Sequence, residues 1–133
     1  MPPDESVIRA YYDAFNRSDV AGMLALLTED VRHDINQGDT EHGIAAFDTF
    51  MARMNGAYRE ELRDIVVLAP GGGRAAAEFT VHGVYLRGEA GLPPAHGQLY
   101  VLPAGAFFAL REGRISRVTT YYNLPDWIRQ VSV

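Results

Sequence analysis

The chain has 133 residues, of which 47% are hydrophobic and 22% charged, a composition typical of one soluble domain with a sizeable core. Its formal net charge of −5 disfavours nucleic-acid and anionic-membrane partners, because such surfaces need clustered basic residues. The sequence contains no cysteine and no lysine, which excludes disulfides, thiol catalysis and Schiff-base chemistry.

The N-terminal residues lack the basic flank and apolar core of a signal peptide, and no apolar run approaches the ~20 residues of a membrane span. We therefore expect a cytoplasmic protein with one domain over residues 1–133. Three stretches then place apolar residues at helical spacing, and each is expected to form an amphipathic helix. Their inward residues are Val7, Ile8, Tyr11, Tyr12 and Phe15; Val20, Met23, Leu24 and Leu27; and Ile44, Phe47, Phe50, Met51 and Met54. Asn55-Gly56 is a C-cap signal that ends the third helix.

Between the second and third helices, residues 31–36 alternate as a strand does. Val31, His33 and Ile35 share one face, and Arg32, Asp34 and Asn36 share the other. Residues 37–43 are polar with two glycines, which indicates a turn or a short hairpin.

After the third helix the hydrophobic period drops to two, which predicts strands at 58–69, 74–87, 98–111 and 114–123. Pro103 and Gly105 suggest a bulge or a sharp bend in the third of these. Because the helices come first and an antiparallel meander follows, the fold class is α+β. Strands this long are expected to curl around the three helices and to leave a conical cavity.

Several stretches resemble the NTF2-like superfamily and, within it, SnoaL-like and ketosteroid-isomerase-related proteins. They are YYDAFNRSDVAGMLALLTEDV (11–31), HDINQG (33–38), AEFTVHGVYL (77–86), YVLPAGAFF (100–108) and RISRVTTYYNLPDWI (114–128). The resemblance implies an NTF2-like cone, with three N-terminal helices packed in a curved, mainly antiparallel sheet, and a homodimer. It also implies a small cofactor-free enzyme that performs acid–base chemistry on a hydrophobic carbonyl compound by isomerisation, polyketide-type cyclisation or epoxide hydrolysis. The alternative is a module that binds a hydrophobic small molecule without catalysis.

By this resemblance Asp34 corresponds to the general base of the isomerases, and Tyr11 to the tyrosine that donates to the oxyanion. Gly105 corresponds to the protonated aspartate that is the second donor, and its lack of a side chain favours the binding module. Tyr122 could replace that donor, and Tyr11, Asn36 or Tyr122 would stabilise the developing charge. The pattern alone also allows Asp34 to lie on the solvent face of an edge strand and Tyr11 to be a core residue.

Inward strand and helix positions are expected to line the cavity and contact the substrate. They are Phe47, Phe50, Met51, Met54, Phe79, Val81, Gly83, Tyr85, Val101, Gly105, Phe107, Val118 and Thr120. The opposite face of the sheet is expected to form the homodimer through Thr80, His82, Val84, Tyr100 and Leu102. The histidines lack metal-ligand spacing, with His33 and His82 predicted to point outward and His42 and His96 to lie in loops, so neither a metal nor a cofactor is expected.

Overall fold

The computed structural model of the protein describes residues 2–35 and 38–133. The helices of this part are α1 (Asp4–Asn16), α2 (Val20–Leu24), α3 (Ile44–Ala57) and α4 (Leu124–Val131). The strands are β1 (Leu27–Asp34), β2 (Thr40–His42), β3 (Tyr58–Gly71), β4 (Arg74–Tyr85), β5 (Leu99–Arg111) and β6 (Arg114–Tyr122).

The three N-terminal helices are confirmed, but Leu27, expected on the second, lies in β1, and α3 continues through Asn55-Gly56 to Ala57. The starts of the helices have local causes. Asp4 and Glu5 lie in the first turn of α1, where carboxylates interact favourably with the helix dipole. The side chain of Asp19 accepts a hydrogen bond from the Gly22 amide and so caps α2. The fourth helix, α4, was expected only as a short tail. It begins where Asn123 accepts a hydrogen bond from the Asp126 amide. None of the helices in the described residues has the length and apolarity that crossing a membrane requires.

The strands form one six-stranded sheet in the order β2-β1-β6-β5-β4-β3. The meander from β3 to β6 is antiparallel, as predicted, and β1 joins it parallel to β6. The helices cover one face of this sheet. We call that the inner face, and there Tyr12 of α1 contacts Phe79 and Phe108. The α+β class with three N-terminal helices against a mainly antiparallel sheet is therefore confirmed.

The register of β4 places Phe79, Val81, Gly83 and Tyr85 on the inner face, as predicted, and all of them are buried. The register of β5 is the reverse of the prediction. Residues that are directly opposite on neighbouring strands share a face, and Val81 is opposite Leu102 while Gly83 is opposite Tyr100.

Val101, Gly105 and Phe107 therefore lie on the outer face, and the expected inward orientation of these three residues is wrong. Tyr100 and Leu102, expected outside, are buried inside. Strand β5 carries large apolar residues on both faces, so its alternation is ambiguous, and a one-residue error in parity inverts every side chain. The expected bulge at 103–105 is also absent from the β4–β5 ladder, which is continuous from Arg74–Ala109 to Val84–Leu99.

Candidate active site

Asp34 lies at the end of β1, on the outer face of the sheet. Its partner on β6 is Thr119, whereas the preceding residue, His33, packs against Phe47 and Phe50 of α3. The expected orientation of Asp34 into the helix-lined interior is wrong, and so is the outward orientation predicted for His33. Alternation along β1 sends one side chain to each face, and α3 covers the His33 side.

The carboxylate of Asp34 is held by three hydrogen-bond donors. Thr119 Oγ1 donates to Oδ2 at 2.6 Å, and Thr40 Oγ1 and Arg32 Nε donate to Oδ1 at 2.9 and 2.8 Å. Arg117 Nε lies 3.5 Å from Oδ2. Burial is the largest single influence and would raise the pKa of Asp34, but the three hydrogen bonds and the charge of Arg32 outweigh it and lower the pKa to about 2. A carboxylate that is so fully bonded and so acidic is a weak proton acceptor at neutral pH.

The other predicted catalytic residues lie in different places. Tyr11 is a core residue whose ring contacts Tyr12 and Phe108 edge-on, and burial raises the pKa of its phenol. Asn36 lies outside the described residues. Tyr122 lies on the inner face at the end of β6, opposite Ala104. Burial raises its pKa, and the charges of nearby carboxylates add to that effect.

Most of the predicted cavity residues line the inner face or the helix that covers it. Phe47 and Met51 are buried, and Phe50 and Met54 are partly buried, on α3. Val118 is buried and Thr120 partly buried on β6. Gly83 does not leave room for a ligand as expected, because the ring of Tyr100 lies where a side chain at 83 would be.

The strongest chemical feature of the inner face is a pair that the sequence reading missed. Tyr100 Oη donates a 2.5 Å hydrogen bond to Oε2 of Glu60. The two residues stand on β3 and β5 in one row across the sheet, with Gly83 of β4 between them. Because Gly83 has no side chain, the phenol can reach over it to the carboxyl. Burial raises the pKa of Glu60, and the hydrogen bond from Tyr100 only partly opposes that effect.

A second carboxyl–phenol pair lies beside the first. Tyr58 Oη donates to Oε1 of Glu89 at 3.0 Å, and burial, followed by the hydrogen bond and charge of Glu89, raises the pKa of Tyr58. Trp127 of α4 closes this end of the inner face, with its ring centre 4.8 Å from that of Tyr85 and 6.0 Å from that of Tyr100. The result is a partly buried acidic group within a wall of aromatic rings, an environment that suits proton transfer.

The sequence did contain a signal for Glu60. Glu60 is two residues from both Tyr58 and Leu62 on the same strand. Because those two residues face inward, alternation predicts that the carboxylate of Glu60 faces inward as well. The inward position of Glu60 was missed because Arg59, Glu61 and Arg63 flank it, and so many charged residues are typical of a solvent-exposed strand. The described residues contain no group of three or more His, Asp or Glu placed to hold a metal ion.

Comparison with known proteins agrees with this architecture. A family model described as a SnoaL-like domain matches residues 8–118. A candidate polyketide cyclase from Pseudomonas putida is 57% identical, with 98% of this chain and 99% of that chain covered and a TM-score of 0.95. One from Xanthomonas campestris is 60% identical, with 96% and 95% covered and a TM-score of 0.92. TerC, co-crystallised with polyporic acid, shares the fold at 20% identity over 99% and 100% of the chains, with a TM-score of 0.77. No curated protein matches significantly.

Proposed function

Because this chain belongs to the SnoaL-like domain family, we propose that it is a cofactor-free acid–base enzyme of the isomerase or cyclase type, which acts on a hydrophobic carbonyl compound at Glu60. The observation that carries the proposal is the Glu60–Tyr100 pair within an aromatic enclosure. The similarity to candidate polyketide cyclases supports the reaction class.

In the proposed reaction, ionised Glu60 takes a proton from the carbon next to the substrate carbonyl. The electron pair of the broken C–H bond moves onto the carbonyl oxygen, and Tyr122 is the candidate donor to the enolate that forms. Protonated Glu60 then returns the proton to another carbon in an isomerisation, or to the new alkoxide after the enolate carbon has attacked a second carbonyl in a cyclisation. A raised pKa suits this role, because the group must both accept and release the proton near neutral pH.

Asp34 is the competing candidate for the base. Its low pKa and its three donors favour a structural role instead, in which it joins β1 to β6 through Thr119. If Glu60 is the base, Glu60→Gln should abolish activity and Asp34→Asn should not; if Asp34 is the base, the reverse is expected.

The test is hydrogen–deuterium exchange at the activated methylene of 2-tetralone in D₂O, followed by NMR. Glu60→Gln is expected to slow the enzyme-dependent exchange by roughly 10²–10⁴-fold, and Asp34→Asn to change it less than about threefold under conditions in which the variant is folded. Glu61→Gln is the matched control, because Glu61 is the adjacent, exposed glutamate. Full activity in Glu60→Gln together with loss in Asp34→Asn would overturn the proposal.

Binding without catalysis is the second candidate, and Ala104 and Ala106 favour it. Both are inner-face positions of β5 near the place where the isomerases carry their acidic donor, and neither can donate. The co-crystal of TerC with polyporic acid supports a small-molecule occupant of this fold. Trp127, the only tryptophan, reports binding by its fluorescence. A wild-type protein that binds a ligand saturably but never accelerates exchange would establish this alternative.

We also propose a homodimer through the outer face. That face exposes Leu99, Val101, Phe107 and Tyr121, a row of apolar side chains that another copy could cover. Gel filtration at micromolar concentration is expected to give a dimer for the wild type and a monomer for Phe107→Asp. A monomeric wild type would contradict the assignment.

A further inference from the structure

His33 and Glu41 form a pair of unsatisfied polar side chains away from the Glu60 site. They are directly opposite on β1 and β2, and such residues have Cβ atoms about 5 Å apart on the same face of the sheet. His33 is 6% exposed. Its Nδ1 and the Oε1 of Glu41 are both buried and have no hydrogen-bond partner among the described residues. Each such atom costs about 1–3 kcal/mol if it stays unpaired.

A cleft of about 420 Å³ adjoins this pair. Its lining residues are Glu41, Ala45, Ala46, Thr49, Phe50 and Arg53. Phe50 connects the cleft to the pair, because the same ring meets the His33 imidazole edge-on at 4.6 Å. Arg53 lies 3.8 Å from Oε2 of Glu89. The cleft therefore offers the carboxylate of Glu41, an apolar wall of Ala45, Ala46 and Phe50, and one cation, Arg53, that the carboxylate of Glu89 partly neutralises.

The unsatisfied atoms restrict the chemistry of an occupant. Burial lowers the pKa of His33, although the charges of Glu41 and Asp34 oppose this effect. A neutral imidazole with its proton on Nε2 presents Nδ1 as an acceptor, and an ionised carboxylate accepts only. In that tautomer both buried atoms are acceptors, so an occupant that bonds both needs at least two donors, and the negative charge of Glu41 favours a cation.

We propose that His33 and Glu41 bind the ammonium group of a small primary amine, with the carbon chain of that amine lying in the cleft against Ala45, Ala46 and Phe50. An ammonium has three donors. It can bond both orphaned atoms, retain one donor for Thr49 or water, and neutralise the carboxylate. Phe50 must turn aside to admit it, since it covers His33 on the cleft side. The site is separate from Glu60 and does not depend on the enzymatic proposal.

The experiment titrates the folded, full-length protein with n-butylammonium and follows the imidazole nitrogens of His33 by NMR. 1-Butanol serves as the neutral isostere. Glu41→Gln removes the carboxylate, and Glu29→Gln is the matched control, since Glu29 is an exposed glutamate of β1 and its loss changes the net charge equally.

We expect a saturable shift of Nδ1 in the wild type and in Glu29→Gln, with dissociation constants within twofold of each other. Binding should weaken at least tenfold in Glu41→Gln and for 1-butanol. The wild-type comparison of amine with alcohol stands even if Glu41→Gln fails to fold. Equal affinity for the alcohol, undiminished binding in folded Glu41→Gln, or no saturation at tens of millimolar would each overturn the proposal. An ordered water that bridges the two atoms and that the amine does not displace would do so as well.

Discussion

Asp34→Asn is predicted to destabilise the fold at neutral pH and to lose that effect in acid. In the folded chain, the donors around Asp34 lower its pKa from an ordinary 3.8 to about 2, a change equivalent to about 2 kcal/mol of folding free energy. Because the side chain is 20% exposed, solvent screening reduces the expected effect to about 1–2 kcal/mol. A folded-state pKa below the unfolded one means that this stabilisation is complete above about pH 4 and disappears as the pH falls through about 2.

The measurement is urea unfolding of wild type and Asp34→Asn at pH 7 and at several values down to pH 2.5. The free energy of unfolding of the variant should be lower by about 1–2 kcal/mol at pH 7, and this difference should shrink as the pH falls from about 4 to 2.5. Comparing the two proteins at each pH cancels the titration of the other carboxylates. A gap that stays constant with pH, or a variant as stable as wild type at pH 7, would refute the electrostatic reasoning. A stable variant without activity would point back to catalysis at Asp34.

Three further predictions concern the inner face and the helix that closes it. Tyr100→Phe removes the hydrogen bond that lowers the pKa of Glu60. The acid limb of the profile of exchange rate against pH should therefore move to higher pH. If the acid limb does not move, Glu60 is not the titrating base. Gly83→Ala forces a methyl group into the ring of Tyr100 and should cost about 1–3 kcal/mol in urea unfolding, together with loss of exchange activity. Asn123→Ala removes the cap of α4 and should cost about 1 kcal/mol, and a change in tryptophan fluorescence would show that α4 has shifted.

The sequence was sufficient for the fold because local signals agreed with one another. Helical spacing in α1 to α3 and the hairpin glycines between β3 and β4 identified the elements within a few residues of their ends. The position of β1 was harder to foresee. A strand at the start of the chain that pairs parallel to the last strand has no local signature, because that pairing depends on contacts 85 residues apart, such as the one between Asp34 and Thr119.

The site was harder to predict from the sequence than the fold, because it depends on which face of the sheet each strand residue occupies. On β4, one face carries Phe79, Val81 and Tyr85, and the other carries the polar residues Glu78, Thr80 and His82. Alternation therefore gave the correct orientation. On β5 both faces are apolar, with Leu99, Val101 and Phe107 exposed on the outer one, so the pattern carried no information about direction. By resemblance, Gly105 corresponds to the family's second oxyanion donor, whereas the residues that face inward there are Ala104 and Ala106.

The alanines on β5 restrict where an acidic group of the inner face can come from. With alanines facing inward on β5, the inner face must obtain its carboxyl from another strand, and β3 supplies one at Glu60. A carboxyl on β3 can be held by a phenol on β5 only if the strand between them presents no side chain at that level, and Gly83 meets this condition. Any side chain at position 83 would separate Glu60 from Tyr100 and leave each polar group to find another partner. The three residues therefore form one structural unit, in which the missing side chain of Gly83 allows the phenol of Tyr100 to reach the carboxyl of Glu60.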